Sequence, residues 1–340
     1  MKKIIGIKTV LIFMSLLLVL AGCGGEQESV SGEDSNSKEV IELQLGHIAT
    51  ETNPYHLLAE EFKELVEERS NGRLKINIFP NAQLGEEREL LEAMTFGNLD
   101  LAVITTSPVT NFVPEFGVLD IPYLFEDWDQ ANTFVESNIA DKLLKETEEV
   151  GIKTYGFVPR GFRSVTTSNH PVENPEDMDG LKIRVIESEV YLDTINEMGA
   201  TATAMPWGDA YTAMQQGAID GQENDYSIIY TQNVPEVQKY LSLTEHIFAV
   251  NTLMGSTSNI EQLPEDLQKI IEESAVEATE SMGEHNLAEA DNLRQKIEEE
   301  GMEINEVDKD SFIEAVSDTQ EKYSEQYGST YFQDIKALFD

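Results

Sequence analysis

The sequence predicts an α/β protein of two lobes. Three observations carry this expectation. Strand-like and helix-like segments alternate from residue 40 onward, the alternation occurs twice, and one uninterrupted helical pattern follows the second run. Val40–Leu45 alternates apolar and polar residues and reads as a strand. Asn53-Pro54 opens a helix with Leu57, Leu58, Phe62, Leu65 and Val66 at a 3.6-residue period, and Asn71-Gly72 ends it. Leu74–Phe79 alternates as the next strand, Gly85–Phe96 is helical with Leu90, Leu91 and Met94 on one face, and Leu99–Thr105 is a third strand. This βαβαβ order favours a sheet with right-handed crossovers. Ile152–Val158, Leu181–Ile186, Ala200–Thr203 and Ala218–Gly221 are later strand candidates, with helices at Glu189–Met198 and Trp207–Gln216. The helical pattern from Pro264 to Glu299 carries Leu267, Ile271, Ala275, Ala278 and Met282 as a stripe, and Gly301 stops it. At about 1.5 Å per residue it reaches about 54 Å, enough to span both lobes.

The chain has 340 residues, with 64 acidic and 23 basic side chains and a formal charge of −41. At 40% apolar residues it can build real cores. So acidic a chain is a poor match for nucleic acid, which is held by basic patches, or for anionic lipid surfaces. Self-repulsion of this size favours a monomer.

The N-terminus reads as a secretion signal. Lys2, Lys3 and Lys8 precede an uncharged stretch at residues 9–22, which is too short to span a bilayer. It runs into Leu20-Ala21-Gly22-Cys23, which resembles the bacterial lipobox. Residues 1–22 are then a lipoprotein signal peptide, and Cys23, the single cysteine, is the lipidation site. Losing the three lysines of that segment takes the charge from −41 to −44 over the remaining 318 residues. Residues 23–39 are the lipidated Cys and a flexible tether, and the body beyond is expected on the extracytoplasmic face of the cell membrane.

Signatures of catalysis are absent. There is no HExxH, GxSxG, phosphate-binding loop or GxGxxG, and the five histidines show no close ligand spacing. No catalytic residue, metal or cofactor is expected. The chain has only seven arginines, and three of them, Arg160, Arg163 and Arg184, fall within 25 residues. Arg184 sits in the apolar strand Lys182-Ile183-Arg184-Val185-Ile186. Such an arginine needs a partner, either an internal acid or the carboxylate of a ligand. Trp207 opens a helix after Met205-Pro206, and Asn224 closes Asp220-Gly221-Gln222-Glu223-Asn224 after a strand; both could wall or bond a pocket.

Four segments resemble the solute-binding subunit of TRAP transporters, the DctP family. They are residues 71–103, 161–185 (GFRSVTTSNHPVENPEDMDGLKIRV), 205–224 (MPWGDAYTAMQQGAIDGQEN) and 237–246 (VQKYLSLTEH). The resemblance covers roughly residues 40–335. It implies a Venus-flytrap, periplasmic-binding-protein-like fold whose long helix spans both lobes. Lobe I would be 40–160 with about 248–285, and lobe II 161–247 with about 286–340. It implies capture of a small organic acid, a C4-dicarboxylate or a sugar acid, for delivery to small and large membrane permease subunits driven by an ion gradient. The family's carboxylate anchor falls on Arg184, a second cleft arginine on Arg163, a polar cleft residue on Asn224 and an aromatic wall on Trp207. His47, Glu87, Thr105 and Thr106 would serve the first-lobe side. Thr105 stands where the sialic-acid branch carries an acid, which argues against sialic acid. Ile186, Asp209 and Asp225 depart from the usual pattern without touching the anchors. A sensory or ATP-driven-importer binding protein for a carboxylate is the alternative function, and an extracytoplasmic enzyme a more distant one.

Overall fold

The computed structural model describes residues 40–327 and 331–339. The signal segment, Cys23 and the tether lie outside the described residues. Among the described residues, nine strands form one sheet: β1 (Ile41–Gly46), β2 (Leu74–Phe79), β3 (Leu101–Thr105), β4 (Ile152–Thr167), β5 (Lys182–Val185), β6 (Thr201–Ala204), β7 (Gly221–Asn224), β8 (Tyr240–Ser256) and β9 (Glu303–Asn305). Their spatial order is β2-β1-β3-β8-β4-β7-β5-β6, with β9 beside β8. The parallel strands β2-β1-β3 form one end and β7-β5-β6 the other. Antiparallel β4 and β8 run through both ends and join them.

Most elements follow the sequence pattern closely. Asn53 caps the helix Pro54–Arg69, its side chain accepting from the Tyr55 N–H at 3.0 Å, and Asn71 and Gly72 both turn into positive φ beyond its end. The helices Glu87–Thr95, Glu189–Glu197 and Trp207–Gln215 lie where apolar periodicity placed them. The long helix is Glu265–Glu299, with Pro264 as the residue before it and Gly301 at φ 100 after it. Leu267, Ile271, Ala275, Ala278 and Met282 enter a core shared with Phe62 and Val66, while Ile297 enters a second core with Met214 and Ile219. One helix thus seals both lobes. Among the described residues, no helix is long and apolar enough to cross a membrane.

Three features differ from the expectation. The strand expected to end at Val158 continues to Thr167, because register shifts around Gly156, Gly161 and Ser164 let it pass Pro159 and Gly161 without losing β8. β8 is 17 residues long and buried on both faces, so it lacks the alternation that marks a half-exposed strand. The strand expected at Ala218–Gly221 begins where that range ends, at Gly221. Gly221 lies so close to β4 that a Cβ would overlap the Thr166 carbonyl oxygen. The described residues near the C-terminus divide between two cores. Tyr323, Tyr327, Tyr331 and Ile335 pack with Phe116, Leu119 and Phe134, whereas Phe312 and Val316 pack with Ile183 and Tyr191.

Gly221→Ala should destabilise the protein by about 1–3 kcal/mol, since the backbone oxygen opposite cannot swing aside. Urea unfolding of the variant checks this, and a midpoint equal to wild type would show that β4 and β7 can separate without cost.

Candidate functional site

A cleft between the two ends of the sheet holds about 450 Å³ of atom-free space, part of it open to solvent. Tyr55, Glu86, Glu87 and Thr105 line it from one end, and Arg184, Glu187, Met205, Trp207 and Asn224 from the other. Arg160 and Arg163 line it from β4, the strand that crosses between them.

The three arginines are all buried, but they are not equivalent. Arg160 forms an ion pair with Asp225 and donates from Nη1 to the Tyr55 hydroxyl (3.0 Å), Asn251 Oδ1 (2.9 Å) and Thr105 Oγ1 (3.2 Å). Arg163 grips Glu223 with two bonds, Nε to Oε2 at 2.6 Å and Nη2 to Oε1 at 2.8 Å. Burial acts against both charges of this second pair, yet each group outweighs it for the other. Glu223 is held below the usual carboxylate range and Arg163 above its ordinary value. His246 stands on the far side of Glu223, with Nε2 at 3.3 Å from Oε2.

Arg184 has no carboxylate partner among the described residues. Its Nε and Nη2 donate to the Met205 carbonyl oxygen at 2.9 and 2.7 Å, and its guanidinium lies 5.4 Å from the centre of the Trp207 ring. Those contacts fix the plane of the fork while leaving Nη1 unbonded. Burial, and to a lesser degree repulsion from Arg163, pushes its pKa down to about 10. The group remains charged at neutral pH, a buried cation with no carboxylate bonded to it among the described residues.

Glu87 accepts at Oε1 from the Thr105 N–H (2.8 Å) and the Tyr55 hydroxyl (3.1 Å), and its Oε2 makes no hydrogen bond among the described residues. Burial raises its pKa from 4.5 to about 7, against those bonds and the Arg160 charge. Glu86 reaches across the cleft, accepting from the Gly208 N–H at 3.2 Å in the first turn of the helix Trp207–Gln215. A Cβ at Gly208 would overlap that Glu86 oxygen. Asn111 Nδ2 spans the cleft as well, donating to the Glu187 carbonyl oxygen at 3.0 Å.

The structure brings together six of the residues singled out in the sequence: Arg184, Arg163, Asn224, Trp207, Glu87 and Thr105. It does not bring His47 or Thr106 to the cleft wall. His47 is fully buried, its Nε2 bonded to His56 Nδ1 at 3.0 Å, and burial, then His56, pushes its pKa down to about 3. The Thr106 hydroxyl donates to the Val250 carbonyl oxygen at 3.2 Å. Arg163 lines the cleft, but the fork edge expected to meet a ligand is engaged by Glu223. The sequence did not mark Arg160, Tyr55, Glu86 or Glu187 as site residues. For Arg160 a signal existed, its place in the cluster of three arginines.

Fold and cleft define a two-lobed α/β binding protein. Residues 45–327 match the family described as bacterial extracellular solute-binding protein, family 7 (DctP), and the chain belongs to that family, as a TRAP transporter solute-binding protein. A solute-binding protein of Verminephrobacter eiseniae is 32% identical over 297 residues, which are 86% of this chain and 88% of the relative. The crystal structure of a TRAP periplasmic solute-binding protein from Polaromonas sp. JS666 bound to D-erythronate is 32% identical, with a TM-score of 0.84 over 87% of this chain and 98% of that one. One from Shewanella oneidensis with bound succinate is 26% identical, with a TM-score of 0.84 over 88% of this chain and 100% of that one.

The buried carboxyls set a pH dependence. Glu87 at about 7 and Asp120, which burial also raises to about 7, hold protons more tightly when folded than when unfolded. Their contribution to stability is complete below the unfolded value and is lost as pH rises through about 7. His47, depressed to about 3, opposes this below about 6.5. The unfolding free energy of the ligand-free protein should fall from pH 5 to pH 7.5, at up to about 1.4 kcal/mol per pH unit for each carboxyl, and its melting temperature should fall with it. Glu87→Gln should flatten the fall. An unchanged pH profile in that variant would show that Glu87 is ionised throughout.

Proposed function

We propose that this protein captures a small organic acid, a C4-dicarboxylate or a sugar acid, outside the cytoplasm and delivers it to the small and large permease subunits of a TRAP transporter. The observation that carries the reading is Arg184, buried, oriented by Met205 and Trp207, and without a carboxylate partner among the described residues. A carboxylate on its free fork atoms would supply the missing charge through charge-assisted bonds. The ligands named for the Polaromonas and Shewanella structures, D-erythronate and succinate, are both carboxylates, which supports the same chemistry here.

The mechanism follows from the geometry. Lobe I comprises 40–160 with about 248–285, and lobe II 161–247 with about 286–340. The open protein binds the acid at Arg184 in lobe II. Closure about β4 and β8 then brings Tyr55, Glu87 and Thr105 over it and excludes water, which strengthens the ion pair. The Glu86–Gly208 and Asn111–Glu187 bonds form only when the lobes meet and hold the closed state. The protein acts as a monomer tethered through lipid on Cys23, on the extracytoplasmic face of the membrane.

Two measurements test this reading. Calorimetry against aldonates, uronates and C4-dicarboxylates should show binding, and Arg184→Ala should weaken it about 30- to 4,000-fold, the range for truncating one partner of a buried charge pair. Arg184→Lys should also bind poorly, because a point charge cannot reproduce the fork. Undiminished affinity in Arg184→Ala would remove the anchor. Separately, Cys23→Ala should release the protein from the membrane fraction into the soluble one; a variant that stays membrane-bound would end the lipid-anchor assignment.

A further inference from the structure

Charge counting in the cleft narrows the ligand, given the Arg184 reading above. Three arginines face the cavity, and two of them are already matched, Arg160 by Asp225 and Arg163 by Glu223. Arg184 alone is unmatched among the described residues, and no lysine lines the space. Against that single charge stand three acids of the lining that pair with no cation among the described residues: Glu86, Glu87 and Glu187. One ligand carboxylate balances Arg184. A second would enter a dry cavity beside these acids with no free cation to receive it, and juxtaposed like charges cost several kcal/mol.

The same acids suit hydroxyl groups. Glu87 Oε2 has no hydrogen-bond partner among the described residues, so it is an acceptor without a donor. A carboxylate accepts from an alcohol and cannot accept from another carboxylate. Asn224 adds a side-chain amide that bonds its neighbours only at 3.3–3.4 Å, and Trp207 and Tyr55 add ring surface.

We propose that the cleft selects polyhydroxylated monocarboxylates over the matching dicarboxylates, and that Glu86 and Glu87 are the residues that set this specificity. Glu87 receives a ligand hydroxyl and repels a second carboxylate. Glu86, held at the Gly208 N–H on the opposite wall, adds its charge to the same space once the cleft is shut.

Pairs of acids that differ only at the terminal carbon test this. D-Galactonate against galactarate, and D-erythronate against meso-tartrate, exchange a terminal CH2OH for a carboxylate and keep the other hydroxyls. By calorimetry on the wild-type protein at pH 8, the monoanion of each pair should bind at least about 100-fold more tightly, the low end of that repulsion. Glu87→Gln should shrink the ratio about 10-fold or more, and Glu86→Gln, which keeps an acceptor for Gly208, should shrink it in the same direction. Both variants must melt cooperatively for this comparison, and the wild-type ratio stands whether or not they do. Equal affinity for the two members of a pair would overturn the selection, as would tighter binding of the dianion. A wild-type ratio that both folded variants preserve would overturn the assignment to Glu86 and Glu87. Binding of no carboxylate at all would instead overturn the Arg184 reading, and this inference with it.

Discussion

Burying three guanidinium groups in one cleft is the constraint on which the rest of this structure depends. An unpaired buried ion carries a penalty of several kcal/mol, so each arginine must be given an acid or be left to seek one. Two are given acids by a single strand and its end. β7 delivers Glu223 to Arg163, and the residue after it, Asp225, to Arg160. This fixes the pairing of β4 with β7, where Val165 faces Glu223 and Ser164 faces Asn224. A slip of one residue would turn Glu223 to the other face of the sheet and leave Arg163 buried without a counterion. The third arginine is held by a carbonyl oxygen and a ring, which orient a charge without neutralising it.

Strand β4 carries these charges through the junction between the two ends of the sheet. Arg160 lies between Pro159 and Gly161, at a register shift in the stretch of β4 that crosses from one end of the sheet to the other. The long helix is fastened to that stretch. Asn286 donates to the Pro159 carbonyl oxygen at 2.9 Å, and Gly283 lets the Pro159 ring come close. Across the cleft, Glu86 caps the first turn of a helix that belongs to the opposite lobe. In this structure the contacts that bridge the cleft and the charges that line it are held by the same elements.

Much of this was legible in the chain. Apolar periodicity at 3.6 residues placed the helices, because each turns one face to a core. Alternation placed β1 and β2, because one side of each is exposed. Arg184 could be singled out because a charged residue inside a short apolar strand has no solvent to satisfy it. The reading failed where those signals vanish. β8 is buried on both faces, so no period marks it, and in β4 Pro159 and Gly161 imitate a strand end. His47 and Thr106 sit beside cleft residues in sequence yet face the interior, since neighbours along a chain need not share a face.

By itself, the sequence determined the α/β class, the long helix, the family and the cluster of arginines that makes an anion site possible. These follow from local periodicity and from residue types at short spacing. The tertiary structure decided which arginine is free. That choice rests on Glu223 and Asp225, which lie about 60 residues from their partners and meet them only because β7 pairs with β4. A guanidinium has the same charge wherever it occurs in a sequence, and only the folded chain shows whether an acid has already taken it.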